Sequence, residues 1–246
     1  GETYTGQWLD GERNGQGKST KKDGETLTGG WKHDRPCGDG TARIMIKGKY
    51  HCMYEGKWWD GKRSGQGTAR YANGDVYEGS WKSNQKNGQG KMTYENGDVY
   101  EGGYRNDLRS GAGGTWKGSA LRDGEVQYVG PWREDVREGN GVAVYADGTR
   151  YEGQWAGDKR HGQGRCEYPN GDTYTGAWED GKRKGLGTVA YADSSGGGTY
   201  HGEFDNDAAH VAEDKLVPAH KVKDALGVYL KRVARVTQPS SSKIAP

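Results

Sequence analysis

The run Gly15-Gln16-Gly17-Lys18-Ser19 has the residue types of a phosphate loop: glycines that turn backbone N–H groups towards an anion, then Lys and Ser. The first glycine that such a loop requires falls instead at Glu12, and Gly-x-Gly pairs recur along the whole chain. The pair therefore reads as a repeat feature, not as a nucleotide site. The six His show no metal-ligand spacing, and no Ser/His/Asp or Cys/His signature stands out. Accordingly no catalytic, cofactor-binding or metal-binding residue is assigned.

Two other constellations carry chemistry of recognition. Basic residues stand at Arg13, Arg63, Lys86, Arg109, Arg137, Arg160 and Arg183, each five positions after an aromatic slot, with Pro36 as the single exception. In a sheet this gives a basic ladder of about 10 Å pitch. Such an edge could meet acidic tails or anionic headgroups, with Arg137, Arg160 and Arg183 as candidates. The alternative is a solvated turn paired locally with acids such as Asp60, Glu134 and Asp180, and the net charge of only +2 favours it. The second constellation is aromatic: Trp58, Trp81, Trp132, Trp155 and Trp178, with Tyr77, Tyr151 and Tyr174, lie at regular intervals. They form either the packing layer of a single sheet or an interface for a partner's peptide or helix.

The spacing dictates the elements that must carry these side chains. Tyr-x-Gly-x-Trp, then six residues, then Gly-x-Gly recurs eight times with a basic step of 23 residues. The first aromatic slots are Tyr4, Leu27, Tyr54, Tyr77, Tyr100, Tyr128, Tyr151, Tyr174 and Tyr200. Tyr77, Gly79 and Trp81 share one strand face at i, i+2 and i+4, as do Gly65, Gly67, Ala69 and Tyr71 before them. Between the two runs Asn73-Gly74 signals a hairpin turn, repeated at Asp23-Gly24, Asn96-Gly97, Asp147-Gly148 and Asn170-Gly171. The distance from the Trp slot to the next Gly-x-Gly never varies, so insertions near 41–53, 114–127 and 188–199 belong to the other turn. The fold class that follows is all-β: an elongated, single-layer antiparallel array of β-hairpin repeats over residues 1–205.

Composition agrees once the pattern is seen. Only 30% of residues are hydrophobic and mean hydropathy is −1.12, which alone would lean towards disorder. But seven of the nine Trp occupy the same slot, so the chain folds by stacking thin aromatic units. Cys37, Cys52 and Cys166 make no disulfide framework and suit a reducing compartment. No apolar run is long enough to span a membrane.

The repeated residues are similar to those of the MORN repeat family, over about nine units. Leu27 for Tyr and Tyr104 for Trp depart from the pattern, and Tyr200-His201-Gly202-Glu203-Phe204, with no Gly-x-Gly after it, reads as a terminal cap. Residues 206–217 read as a linker. From Pro218 the residues Val222, Leu226, Tyr229, Val233 and Val236 form a helical apolar seam, so 218–236 is expected to be a short amphipathic α-helix with 237–246 a flexible tail. Lys231, Arg232 and Arg235 flank the seam as candidates for an anionic partner, and Val222, Leu226, Tyr229 and Val233 as candidates for protein contact. The resemblance implies a non-enzymatic scaffold, similar to stand-alone members of the ciliary or flagellar axoneme, in the cytoplasm and cytoskeleton. Its expected partners are proteins of a larger assembly or a second copy of the chain, with no nucleic acid and no cofactor. The competing expectations are a peripheral tether on anionic phospholipid and a targeting subunit of a separate enzyme.

Overall fold

The computed structural model describes residues 1–119 and 124–210. It is all-β, with twenty strands and one 3-10 turn at Asp193–Ser195. The chain divides into two compact parts, Gly1–Glu138 and a second beginning at Gly139. Within each part the strands run antiparallel in sequence order as an open meander. Among the described residues no helix or second sheet covers either face, so the packing layer is made by the side chains of the sheet itself.

Two kinds of turn alternate. The strands Val76–Lys82 and Gln85–Thr93 are joined by Ser83-Asn84, where both residues are left-handed at φ 49° and 72°. Such a mirror-image turn matches the twist of paired strands. Asp10-Gly11, His33-Asp34, Asn106-Asp107, Glu134-Asp135, Asp180-Gly181 and Asn206-Asp207 repeat it. The Asn-Gly pairs lie at the opposite ends of the strands in a wider turn. There Tyr71 N–H donates to Asp75 O at 2.8 Å, and Asn73 Oδ1 accepts from Asp75 N–H.

Length variation falls on the wider turns, as the spacing requires, but its form differs at one of them. The segment 41–53, expected as a loop, lengthens the strands Arg35–Ile46 and Lys49–Trp59, which close on a left-handed Lys47-Gly48 turn. Ile44-Met45-Ile46 is apolar, with two β-branched residues, and so continues the ladder. The array also extends beyond Asp205. Asn206-Asp207 turns the chain back into Ala208–His210, paired with Thr199–Asp205, in place of the start of a linker. The expected helix 218–236 and tail 237–246 lie outside the described residues.

The repeat Tyr77–Gly90 shows why these residues form this structure. Tyr77 and Trp81 point to one face, and Gly79 pairs with Gly90 on the next strand. A bulge between Gly79 and Trp81 frees the Ser80 carbonyl from the ladder, and the Tyr77 hydroxyl donates to it at 3.0 Å. The phenol then lies across the glycine pair, so a Cβ on Gly90 would meet Tyr77 Oη at 2.3 Å. Gly88 serves differently: its φ of 100° is the conformation opposite the bulge that side chains rarely adopt. The same Tyr-to-carbonyl bond is made by Tyr4, Tyr54, Tyr100, Tyr128, Tyr151 and Tyr174.

Candidate functional site

The face carrying the rings is built from neighbouring repeats. Tyr54 meets Trp58 of its own repeat at 5.4 Å and Trp81 of the next at 5.4 Å, both edge to face. Tyr77 continues the chain to Trp81 and Tyr104, and Tyr100 to Tyr104 and Trp132. In the second part Tyr151, Trp178, Tyr174, Phe204 and Tyr200 form the same zigzag, at centroid distances of 5.0 to 5.7 Å. Pairs of this geometry contribute about 0.5–1.5 kcal/mol each beyond burial. Burial also raises the phenol pKa values: Tyr54, Tyr100 and Tyr174 are pushed up to about 12, the nearby arginines opposing the shift.

The basic ladder lies on this same face. Arg63 stacks over Trp81 at 4.2 Å, Arg109 over Trp132 at 4.1 Å, and Arg160 over Trp178 at 4.3 Å. Its backbone is stapled to the next mirror-image turn. Arg109 N–H donates to Asp135 Oδ1 at 2.8 Å, while Asp135 N–H returns a bond to Arg109 O at 3.0 Å. Arg13 with Asp34, Arg63 with Asn84, Lys86 with Asp107 and Arg183 with Asp207 repeat this exchange. Pro36 has no N–H to give, and the turn facing it has Gly61, which has no acceptor side chain.

These positions correct the reading of the ladder as a free basic edge. Arg137 is fully buried and ion-paired with Glu125, Arg183 reaches Asp207 at 3.3 Å, and Arg160 donates to Gly181 O at 2.5 Å. The acids expected beside it, Asp60, Glu134 and Asp180, are not the ones that bind it. Asp60 pairs with Arg35 and Asp180 with Lys159. The aromatic candidates are corrected likewise. Trp58, Trp81, Trp132, Trp155 and Trp178 are buried, as are Tyr77, Tyr151 and Tyr174, so their faces are spent on one another and not offered to a partner. Val222, Leu226, Tyr229, Val233, Lys231, Arg232 and Arg235 lie outside the described residues.

The rings and guanidinium groups fill one face, and the exposed apolar residues Trp59 and Leu186 alternate onto the other, where they pair with Lys62 and Glu203. Trp59 is 70% exposed in the first part and Leu186 72% in the second. Trp59 falls outside the repeat slot, which was the sequence signal for it. A cavity of about 520 Å³ in the first part is lined by His51, Arg63, Tyr71, Trp81, Lys86 and Asp107, among others. Burial holds Lys86 below its ordinary pKa, and burial with the Arg63 charge does the same to His51. Among the described residues no group of three or more His, Cys, Asp or Glu could hold a metal ion. The free thiols Cys52 and Cys166 are buried, with pKa values raised by burial.

Comparison with known families finds the MORN repeat at residues 4–26, 54–76, 77–99, 100–113, 128–150, 151–173 and 174–196. No curated protein matches the chain. Among solved structures, the TCP10 domain of CPAP from Danio rerio is similar at a TM-score of 0.38 and 14% identity, over 72% of this chain and 78% of that one. The SAS-4 (dCPAP) TCP domain of Drosophila melanogaster, solved with a proline-rich motif, is similar at a TM-score of 0.34 and 11% identity, over 77% of this chain and 90% of that one. Likeness at these scores carries no argument about this chain.

Proposed function

The chain belongs to the MORN repeat family, and from that premise we propose that it is a non-enzymatic scaffold that holds protein partners along its repeats. The observation that supports this reading best is the division of labour on the ring face. Tyr, Trp and Arg of successive repeats are consumed in joining one repeat to the next, which leaves the cavity beside Arg63 and Lys86 open on that face and exposed residues such as Trp59 and Leu186 on the other. Rigid elements with an open cavity suit docking of a partner's segment. A tether on anionic phospholipid would need the basic ladder free to meet headgroups. Arg137, Arg160 and Arg183 are instead committed within the fold.

The assembly we propose is a cytoskeletal one, in the axoneme of a cilium or flagellum, because the array of repeats resembles that of family members found there. Crosslinking and mass spectrometry of the full chain in ciliated cells, run beside flotation on anionic liposomes, tests this. Stoichiometric crosslinks to axonemal proteins without flotation are the expected result. Salt-sensitive flotation without such crosslinks would overturn the scaffold reading, and a stable catalytic partner would replace it with a targeting subunit.

A further inference from the structure

Arg63 and Lys86 occupy successive rungs of the ladder, and both line the cavity of about 520 Å³ in the first part. They differ from the other rungs of that part. Arg13 is paired with Asp34 and Glu2, Arg109 with Asp135 and Arg137 with Glu125. Arg63 faces Asn84, an amide in place of the carboxylate, and its guanidinium donates to the Asn84 carbonyl at 2.8 Å. Its Nη1 is shielded from solvent and has no hydrogen-bond partner, so on that side the charge is neither hydrated nor paired. The Lys86 ammonium stands over Tyr104 at 5.2 Å and Tyr77 at 5.6 Å, while Asp107 is used by the Lys86 backbone N–H. Neither cation has an ion pair among the described residues.

Two carboxylates also line this cavity, and they select among anions. Asp75 accepts from Glu95 N–H at 3.0 Å and from the Asn73 amide at 2.8 Å, and Asp107 is held by Lys86 N–H at 2.9 Å. So placed, neither makes an ion pair with Arg63 or Lys86 among the described residues. They do repel a dense negative surface, so a phospholipid bilayer is disfavoured and a single carboxylate is not. The floor between the cations is aromatic and apolar, made by Tyr71, Trp81 and Met92. It suits the body of a side chain or an adjoining ring.

We propose that this cavity is a docking pocket for an acidic side chain of a partner peptide, its carboxylate lying between Arg63 and Lys86 and its neighbouring apolar group on Tyr71 and Trp81. This rests on the scaffold reading and adds the chemistry of the partner to it.

The decisive variant is Asn84→Asp, which installs the carboxylate found at Asp34, Asp107, Asp135 and Asp207 and therefore leaves the turn intact. The full chain is titrated, by fluorescence anisotropy, with a labelled decamer of alternating Glu and Tyr, with its Gln-Tyr counterpart, and with phosphatidylserine vesicles. Expected are binding of the Glu peptide at least about tenfold tighter than the Gln peptide, weakening with salt, and loss of about tenfold in Asn84→Asp and in Lys86→Met. Equal binding of the two peptides, or full binding by Asn84→Asp with its thermal unfolding unchanged, overturns the proposal. So does vesicle binding that is lost in Asn84→Asp while the peptide fails to bind. Failure of the peptide alongside axonemal crosslinks elsewhere on the chain would sink this pocket and leave the scaffold standing.

Discussion

Arg109 shows how a single basic side chain serves the fold. Its guanidinium lies 4.1 Å from the Trp132 centroid and 2.9 Å from Asp135 Oδ1, and its Nη2 also donates to the Asp135 carbonyl. Arg109→Met keeps the length and apolar stem but loses the cation, so a loss of about 1–3 kcal/mol is expected, read by urea unfolding. A lysine there should recover only part, because an ammonium cannot make the forked contact. The buried phenols add a pH dependence whose sign is fixed by burial. Tyr54, Tyr100 and Tyr174 titrate at about 12 in the fold against the ordinary 10.0, so the folded chain retains protons that the unfolded chain gives up. That stabilisation is fully present below pH 10 and is lost as pH rises from there through about 12. Thermal unfolding followed across that window, with tyrosinate absorbance beside it, should show stability falling before the phenols of the folded chain ionise. Ionisation of all sixteen tyrosines near pH 10 without loss of structure would remove this account.

At the scale of the hairpin, the two turns have unequal tolerance. The mirror-image turns that carry Asp or Asn at their second position exchange two hydrogen bonds with the preceding repeat, as Asn106-Asp107 does with Lys86. One glycine inserted between Asn106 and Asp107 should therefore cost several times more stability than one inserted at Asn96-Gly97, where natural insertions already occur in sister repeats. Gly90→Ala places a Cβ 2.3 Å from Tyr77 Oη and is expected to cost about 1–3 kcal/mol, measured by the same unfolding. The hairpins, their period and their glycines were legible in the sequence because each is a local signal. The placement of the ladder was not. Counting Asp10-Gly11 as a two-residue turn puts Arg13 opposite Trp8, on the aromatic face, whereas reading 10–13 as one solvated turn put it in water. The staple partners were hidden for a different reason. Asp34, Asn84 and Asp107 lie 21 residues beyond the residues they bind, in the next repeat, and only the stacking brings them together.

Over the molecule, both parts are built from repeats whose rings, guanidinium groups and turns reach only the adjacent repeat, so stability is a sum of nearest-neighbour terms. The weakest link in the first part is visible at Leu27. Tyr4 ties Trp8 to Trp31, and Tyr54 ties Trp58 to Trp81, but no ring spans Trp31 and Trp58. Among the described residues the Trp58 Nε1 has no hydrogen-bond partner, and neither has Trp132 Nε1, the two indoles that follow the lengthened turns near 41–53 and 114–127. Trp81 and Trp31, by contrast, each donate to the glycine carbonyl of the preceding repeat, Gly67 and Gly17. Leu27→Tyr should close the ring chain between Trp31 and Trp58, raising stability by about 0.5–2 kcal/mol. Hydrogen exchange resolves the two consequences. Protection should rise in the strands Thr26–Lys32 and Lys49–Trp59 and stay unchanged by Thr173–Glu179, because a term between neighbours travels no further than the cooperative length of its own part. A uniform rise through both parts would instead mean that the chain unfolds as one unit, and the nearest-neighbour picture would fall with it.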